Sequence, residues 1–183
     1  MRDPEKWLSS WRNLGALTLS RHDLAKEGLT VSAFLPPKSL LKAAQELKQA
    51  RFSLLDVSVL EAAEGFVVTY HFDSLDGPAR LALRVLAPKK KPVAPSLWSI
   101  FQGAEWHERE SADFYGLIFE NNPNPIPLLL PDPEEFTSPP PLRKTTPSSI
   151  AKLGLLAQAE VLDPDFGELL GLANSPNAQG GSE

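Results

Sequence analysis

Proline is distributed unevenly along this chain, and its distribution limits what each part can fold into. The chain has 183 residues and 18 prolines, of which eleven follow residue 122. Proline fixes φ and has no backbone N–H, so it interrupts helices and central strands. The sequence therefore predicts a folded domain over residues 1–120 and an extended arm over residues 121–173. The composition of residues 174–183 is typical of a disordered tail.

The predicted arm also carries many large apolar side chains, which a solvated linker does not need. Among them are Leu128, Leu129, Leu130 and Phe136. A stiff, extended segment loses less conformational entropy on docking than a flexible one. We therefore expect residues 121–173 to bind a partner, the alternative being that they stay disordered.

Composition excludes several classes of function. Hydrophobic residues make up 42% of the chain and charged residues 22%, as in soluble globular domains. A net charge of −5 argues against nucleic-acid binding, which needs clustered Lys and Arg. The chain has no cysteine, which excludes disulfides, cysteine nucleophiles and cysteine-ligated iron–sulfur clusters. No apolar run approaches the ~20 residues that span a bilayer, so membrane association is expected to depend on partners.

Hydrophobic periodicity predicts a single α+β domain with a mixed or antiparallel sheet of about four strands and helices packed on it. A turn-rich segment joins the last two predicted strands into an antiparallel hairpin. The predicted strands are residues 29–33, 52–60, 66–72 and 79–86. The predicted helices are residues 1–27, 39–50 with Ser39 as N-cap, 96–115 with a break at Gly103, and 149–161.

The most charged predicted helix contains two acids placed four residues on either side of Arg109. Glu105 and Asp113 can therefore both meet its guanidinium on one helical face. Glu108 falls in a largely apolar stripe, where a carboxylate needs a polar partner. Three interpretations remain open: a polar network that fixes an interface helix, a catalytic acid with a raised pKa, and ordinary surface ion pairs.

Motifs for metal, nucleotide or nucleophile chemistry are missing from the sequence. His107 lies beside Glu108 and Glu110, but a helical zinc site needs a second His four residues away, where this chain has Ser111. There is no Gly-x-Gly-x-x-Gly, Gly-x-x-x-x-Gly-Lys or Gly-x-Ser-x-Gly motif. We therefore expect no catalytic residue, no cofactor-binding residue and no metal ligand in this chain.

The run Glu-Arg-Glu-Ser-Ala-Asp-Phe-Tyr-Gly at residues 108–116 resembles the signature of the complex I 30-kDa subunit family, the C subunit of NADH-quinone oxidoreductase. That signature has Glu-Arg-Glu, two free positions, an acid, two apolar or aromatic residues, and commonly Gly. A later Pro-Leu-Arg-Lys segment resembles a second family element, and the resemblance covers about residues 40–147. The signature and interface residues it indicates are Glu108, Arg109, Glu110, Asp113, Phe114, Tyr115, Gly116, Pro141, Leu142, Arg143 and Lys144.

The chain departs from the family pattern at three positions. Asn122 stands where members usually have a His soon after the Gly. Pro140 stands where a His often precedes Pro-Leu-Arg-Lys, and Thr145 where an Asp often follows it. Related subunits with a looser signature occur in membrane-bound energy-converting hydrogenases and formate hydrogenlyase-type complexes, which are the alternative assignment.

The resemblance implies a non-catalytic peripheral-arm subunit of a proton-translocating NADH:quinone oxidoreductase. Such a subunit belongs to an enzyme complex but has no active site and no cofactor of its own, since the iron–sulfur clusters and quinone are in partner subunits. The implied partners are the quinone-site large subunit, of the 49-kDa type, and the small iron–sulfur subunits. The implied location is the cytoplasmic face of a bacterial or archaeal cell membrane, reached through those partners.

Overall fold

The computed structural model describes residues 3–131, 138–156 and 158–172. Within these ranges the helices are α1 (Pro4–Asn13), α2 (Leu24–Glu27), α3 (Pro37–Gln49), α4 (Ala104–Tyr115) and α5 (Pro164–Leu169). The strands are β1 (Thr18–Arg21), β2 (Val31–Phe34), β3 (Phe52–Glu61), β4 (Gly65–Ser74), β5 (Arg80–Pro88), β6 (Val93–Pro95), β7 (Ile118–Glu120) and β8 (Glu160–Val161). None of these helices is long and apolar enough to cross a membrane.

The main sheet is mixed, with the strand order β3-β4-β5-β2-β1-β8. β2 and β5 are parallel neighbours, and the other adjacent strands are antiparallel. The predicted α+β class and the β4–β5 hairpin are therefore confirmed. The described sheet has six strands rather than about four, because β1 and β8 escaped prediction. β1 lies inside the segment predicted as helical, and both strands are too short for a period of two to be visible.

The main core lies between the sheet and the helices α1, α3 and α4. Alternate side chains of β4 fill it, and Phe66, Val68, Tyr70 and Phe72 are all fully buried. These residues lie on one face of the strand because successive side chains point to opposite faces. Phe72 packs on Phe101, which precedes α4, with 5.4 Å between ring centroids.

The C-terminal segment covers part of the opposite face of the sheet. Ile150, Phe166 and Leu170 pack with Phe34 and Val67 into a second, smaller core. β8 also joins this edge of the sheet beside β1. Part of the predicted arm thus lies on its own domain, and partner binding by the rest stays a prediction. The predicted tail, 174–183, lies outside the described residues.

Two predicted helix starts are wrong, and the serine at each of these positions has another role. α3 begins at Pro37, since proline suits a first helical turn in which its missing N–H is not needed. The Ser39 hydroxyl instead donates to the carbonyl of Leu14 at 2.7 Å. α4 begins at residue 104, and the Ser96 hydroxyl accepts from the N–H of Trp98 at 3.1 Å in a local turn.

The helix predicted over residues 149–161 is also wrong. A short 3₁₀ helix spans Ile150–Leu153, and the end of the predicted helix lies in β8. The apolar spacing that suggested a helix instead reflects contacts with the sheet, because Leu153, Leu155 and Leu156 pack against the second core.

Gly65 gives a direct test of the packing between β4 and β5. A Cβ added there would lie 2.5 Å from the backbone oxygen of Ala87. We expect Gly65→Ala to lower the free energy of unfolding by about 1–3 kcal/mol, the usual cost of overpacking. Gly103→Ala is the control, because its added Cβ meets nothing within 4 Å, and should change stability by less than about 0.5 kcal/mol. Urea unfolding measures both, and equal stability of the two variants would contradict the close approach at Gly65.

Candidate functional site

Glu108 is the buried anchor of α4, and both of its carboxylate oxygens have partners. It is 0% exposed. Its Oε1 accepts from the N–H of Leu97 at 2.8 Å, and its Oε2 accepts from Nδ2 of Asn122 at 2.8 Å. Burial raises the pKa of Glu108, against the opposing effect of hydrogen bonds from Ser96, Leu97 and Asn122. Asn122, at the position where a His was expected, thus supplies a donor to the signature carboxylate.

Arg109 binds the backbone of the proline-rich segment that follows β7. It is 9% exposed. Its Nε donates to the carbonyl of Ile126 at 3.1 Å and its Nη2 to the carbonyl of Pro127 at 3.0 Å. Its Nη1 lies 3.5 Å from Oε1 of Glu105. One half of the predicted acidic pair therefore forms, and the guanidinium also orders two carbonyls that have no strand partner.

Asp113 binds three consecutive backbone amides instead of the expected arginine. Its Oδ2 accepts from the N–H groups of Leu128, Leu129 and Leu130 at 2.9, 2.7 and 3.1 Å. Converging amides of this kind form a concave anion-binding nest. The prediction that Asp113 contacts Arg109 is therefore wrong. The two side chains hold adjacent parts of the same extended segment, one through its amides and the other through its carbonyls.

The Pro-Leu-Arg-Lys segment lies beside α4 and is held by a carboxylate outside the signature. Glu61 is 2% exposed, accepts from the N–H of Lys144 at 2.6 Å, and lies 3.3 Å from Nε of Arg143. The N–H of Leu142 donates to the carbonyl of Phe114 at 3.0 Å. The structure thus brings together the two sequence elements of the family resemblance. Sequence reasoning missed Glu61, which stands one residue beyond a predicted strand and in no motif.

The end of α4 is fitted closely to this segment. Tyr115 packs edge-on against Phe66 with 6.4 Å between centroids. Burial raises the pKa of Tyr115, and the negative charge of Glu61 raises it further. Gly116 ends the helix at φ +71°, and an added Cβ would lie 3.0 Å from Cγ of Pro140. Both its left-handed backbone and this contact favour glycine.

Several candidate residues are exposed, namely Glu110, Gly116, Pro141, Leu142, Arg143 and Lys144. The side chain of Glu110 makes no hydrogen bond or ion pair with another described residue. His107 lies 3.3 Å from Oδ1 of Asp56. Within the described ranges no group of three or more His, Cys, Asp or Glu side chains could hold a metal ion.

A cavity of about 310 Å³ lies between α4, β7 and the proline-rich segment. Its apolar lining includes Ile118, Ile126 and Leu130. Ile118 is 61% exposed, Ile126 60%, and the adjacent Leu129 57%. We call these three exposed residues the apolar rim. Exposed apolar side chains beside an apolar cavity are typical of protein–protein contact sites.

The buried carboxylate predicts a specific pH dependence of stability. The pKa of Glu108 is raised in the folded chain above its ordinary 4.5, so the folded state holds its proton more tightly than the unfolded state. Stability from this group is present below pH 4.5 and is lost as pH rises through the raised pKa. A tenfold change in proton affinity between the two states corresponds to about 1.4 kcal/mol of stability. In urea unfolding experiments, the free energy of unfolding of Glu108→Gln should not show this decline as the pH rises above 4.5.

The exposed Glu110→Gln variant is the matched control and should keep the wild-type decline. If Glu108→Gln and the wild-type chain showed the same pH dependence, Glu108 would not be the buried titrating group.

Comparisons with known proteins identify the family of this chain. The family model for the respiratory-chain NADH dehydrogenase 30 Kd subunit matches residues 33–151. The NADH-quinone oxidoreductase C subunit of Roseiflexus sp. (strain RS-1) is 32% identical over 124 residues, 64% of this chain and 70% of the relative. The C subunit of the same enzyme from Mycobacterium ulcerans (strain Agy99) is 35% identical over 103 residues, 52% of this chain and 43% of the relative.

A third relative is the F(420)H(2) dehydrogenase C subunit of Methanosarcina mazei, 41% identical over 63 residues, which are 34% of this chain and 40% of the relative. This chain therefore spans less than half the length of the second and third relatives.

Two solved structures share the fold. A trypsin-resistant fragment of Nqo5 superposes with a TM-score of 0.55 at 25% identity, covering 66% of this chain and 97% of the fragment. A chain of the membrane-bound sulfane sulfur reductase, an archaeal respiratory membrane complex, superposes with a TM-score of 0.62 at 21% identity, covering 82% of this chain and 88% of that chain. With a family match over well more than half of its length, the chain belongs to the 30-kDa subunit family of respiratory-chain NADH dehydrogenase.

Proposed function

We propose that this chain is a structural, non-catalytic subunit in the peripheral arm of a proton-translocating NADH:quinone oxidoreductase. It supports the quinone-site large subunit and the small iron–sulfur subunits, which hold the clusters and the quinone, at the cytoplasmic face of the membrane. The observation that carries the proposal is that the charged side chains of the signature form hydrogen bonds within their own chain. Glu108, Arg109 and Asp113 bind amide and backbone groups, as does Glu61 outside the signature.

These hydrogen bonds favour a scaffolding role over a catalytic one. A hydrogen bond to a charged group contributes about 1.5–3 kcal/mol, so these bonds fix parts of residues 122–130 and the backbone of Lys144. A general acid needs an oxygen aimed at substrate, whereas both oxygens of Glu108 accept from the chain itself. The charges therefore act on the conformation of the segment.

The ordered segment presents the apolar rim in one conformation. The carbonyl of Ile126 is held by Arg109 and the amide of Leu129 by Asp113, so two of the three rim residues have a fixed backbone. Pre-organisation lowers the entropy lost on association. An exposed apolar surface held in this way fits a neighbouring subunit better than a small polar substrate.

A second candidate differs in the electron donor. The similarity to the C subunit of F(420)H(2) dehydrogenase favours an equivalent subunit in a related membrane complex that takes electrons from a donor other than NADH. The hydrogenase-type and formate hydrogenlyase-type complexes belong to the same alternative. The scaffolding role of this chain is the same in each.

Mild purification of the tagged full chain from native membranes tests the proposal. We expect cluster-bearing and quinone-site subunits to be recovered with it, together with NADH-driven quinone reduction. Quinone reduction by reduced F420, or hydrogen-linked activity without an NADH-linked reaction, would select the second candidate. Recovery of the chain alone as a monomer would contradict both.

Replacement of a rim residue tests whether the rim is the contact surface. Ile126→Asp should leave the isolated chain as stable as wild type, because the side chain is 60% exposed and exposed substitutions change stability by about 0.5 kcal/mol or less. Recovery of partner subunits should fall at least about tenfold, the effect of about 1.4 kcal/mol. Leu75→Asp, at a residue 62% exposed in the β4–β5 turn, is the matched control. Equal recovery with both variants would exclude the rim as a contact.

A further inference from the structure

The sheet face opposite α1, α3 and α4 carries a buried arginine that has no carboxylate partner among the described residues. Arg84, on β5, is 6% exposed. Its Nη1 donates to Oγ of Ser32 at 2.9 Å, whereas its Nε has no hydrogen-bond partner. No Asp or Glu of the described ranges forms an ion pair with it. Burial lowers the pKa of Arg84 to about 10, a value at which the group stays charged at neutral pH.

Ser32, the acceptor of Arg84, belongs to a series of hydrogen bonds that ends at the surface. Oγ of Ser32 lies 2.8 Å from Nε2 of His22, whose Nδ1 lies 2.8 Å from Oε2 of Glu27. The bonds run in one direction if Ser32 donates to Nε2 and Nδ1–H donates to Glu27, a tautomer assigned from this network. The carboxylate of Glu27 is thus separated from Arg84 by a hydroxyl and an imidazole. It does not serve as a direct counter-ion.

The surroundings of the guanidinium do not neutralise its charge. It lies 5.8 Å from the ring centroid of Phe34, and Thr69 is its partner across the strand pair. A cation over an aromatic ring is stabilised in part, but a buried charge without an opposite charge remains costly. Phe34 is also in contact with Phe166 of the C-terminal segment, at 5.4 Å between centroids.

The other charged groups described on this face do not compensate Arg84. Arg80 lies 3.6 Å from Asp73, so this pair is largely compensated. The pKa of His71 is lowered, mainly by burial and also by the positive charges of Arg84 and Arg80, with Asp56 acting in the opposite direction. Among the residues that the structure describes, Arg84 is therefore the charge on this face without a direct opposite charge.

We propose that Arg84 is the docking point for an acidic side chain of a neighbouring subunit. An Asp or Glu carboxylate from that subunit accepts hydrogen bonds from the small part of Arg84 that its own chain leaves exposed. The planar guanidinium matches a carboxylate in shape as well as charge. This inference rests on the proposed function, because such a partner exists only in an assembled complex. The pair relieves in the complex a cost that the isolated chain carries.

Replacement of Arg84 by methionine separates this role from a structural one. Arg84→Met keeps most of the aliphatic stem and removes the charge. The melting temperature of the isolated chain should stay the same or rise by roughly 2–4 °C, because an uncompensated buried charge is replaced by an apolar group. Recovery of partner subunits with the tagged full chain should fall at least about tenfold.

Arg80→Met is the matched control. It removes a guanidinium from the same strand, β5, but this guanidinium is 44% exposed and is paired with Asp73. It should leave partner recovery within about twofold, as expected for an exposed ion pair. Normal recovery with Arg84→Met, while the wild-type chain assembles, would overturn this inference and leave the proposed function intact. Recovery of the wild-type chain without partners would remove both.

Two further results would overturn the assignment. A lower melting temperature of the isolated Arg84→Met chain would mean that Arg84 is already paired within its own chain. A rise in the wild-type melting temperature with inorganic phosphate, absent in Arg84→Met, would indicate a site for a small free anion instead of a partner carboxylate.

Discussion

The interaction on which the rest of the site depends is the binding of α4 side chains to a backbone that cannot pair with itself. Prolines at 123, 125, 127 and 131 remove donors and prevent this segment from joining a strand ladder. The remaining amides and carbonyls still need partners where water is excluded. Asp113 takes three of the amides and Arg109 two of the carbonyls. The charged side chains of a helix thus replace a missing strand.

This arrangement couples parts of the molecule that are distant in sequence. Glu108 links α4 to the turn before it through Leu97 and to the start of the proline-rich segment through Asn122. Glu61 links the end of β3 to Lys144. Removing one partner leaves a buried donor or acceptor unsatisfied, which costs more than the net contribution of the bond that is lost. The network therefore favours one conformation of the segment, and that conformation sets where the apolar rim faces.

Period-two and helical patterns were sufficient to predict β4, β5 and the general class of fold. The spacing of apolar residues in these elements directly reflects the burial of one face. They could not reveal β1 or β8, whose few residues are held by pairing rather than by pattern. The partner of Asp113 was unpredictable for a related reason. Helical spacing identifies an arginine four residues away, but it contains no information on three amides that the fold brings to the same carboxylate. Glu61 likewise acquires its role from tertiary contacts alone.

The two faces of the sheet differ in how completely the isolated chain satisfies its own charges. On the helix side, Glu108 and Asp113 accept hydrogen bonds from several donors. On the other side, the acceptor that Arg84 finds among the described residues is the neutral hydroxyl of Ser32. A chain selected to fold alone gains nothing from a buried cation, because an apolar side chain of similar size would be at least as stabilising. A chain that works inside an assembly is selected on the stability of the complex. There, an arginine that is costly before association and paired after it adds both affinity and discrimination against partners without a carboxylate at that point.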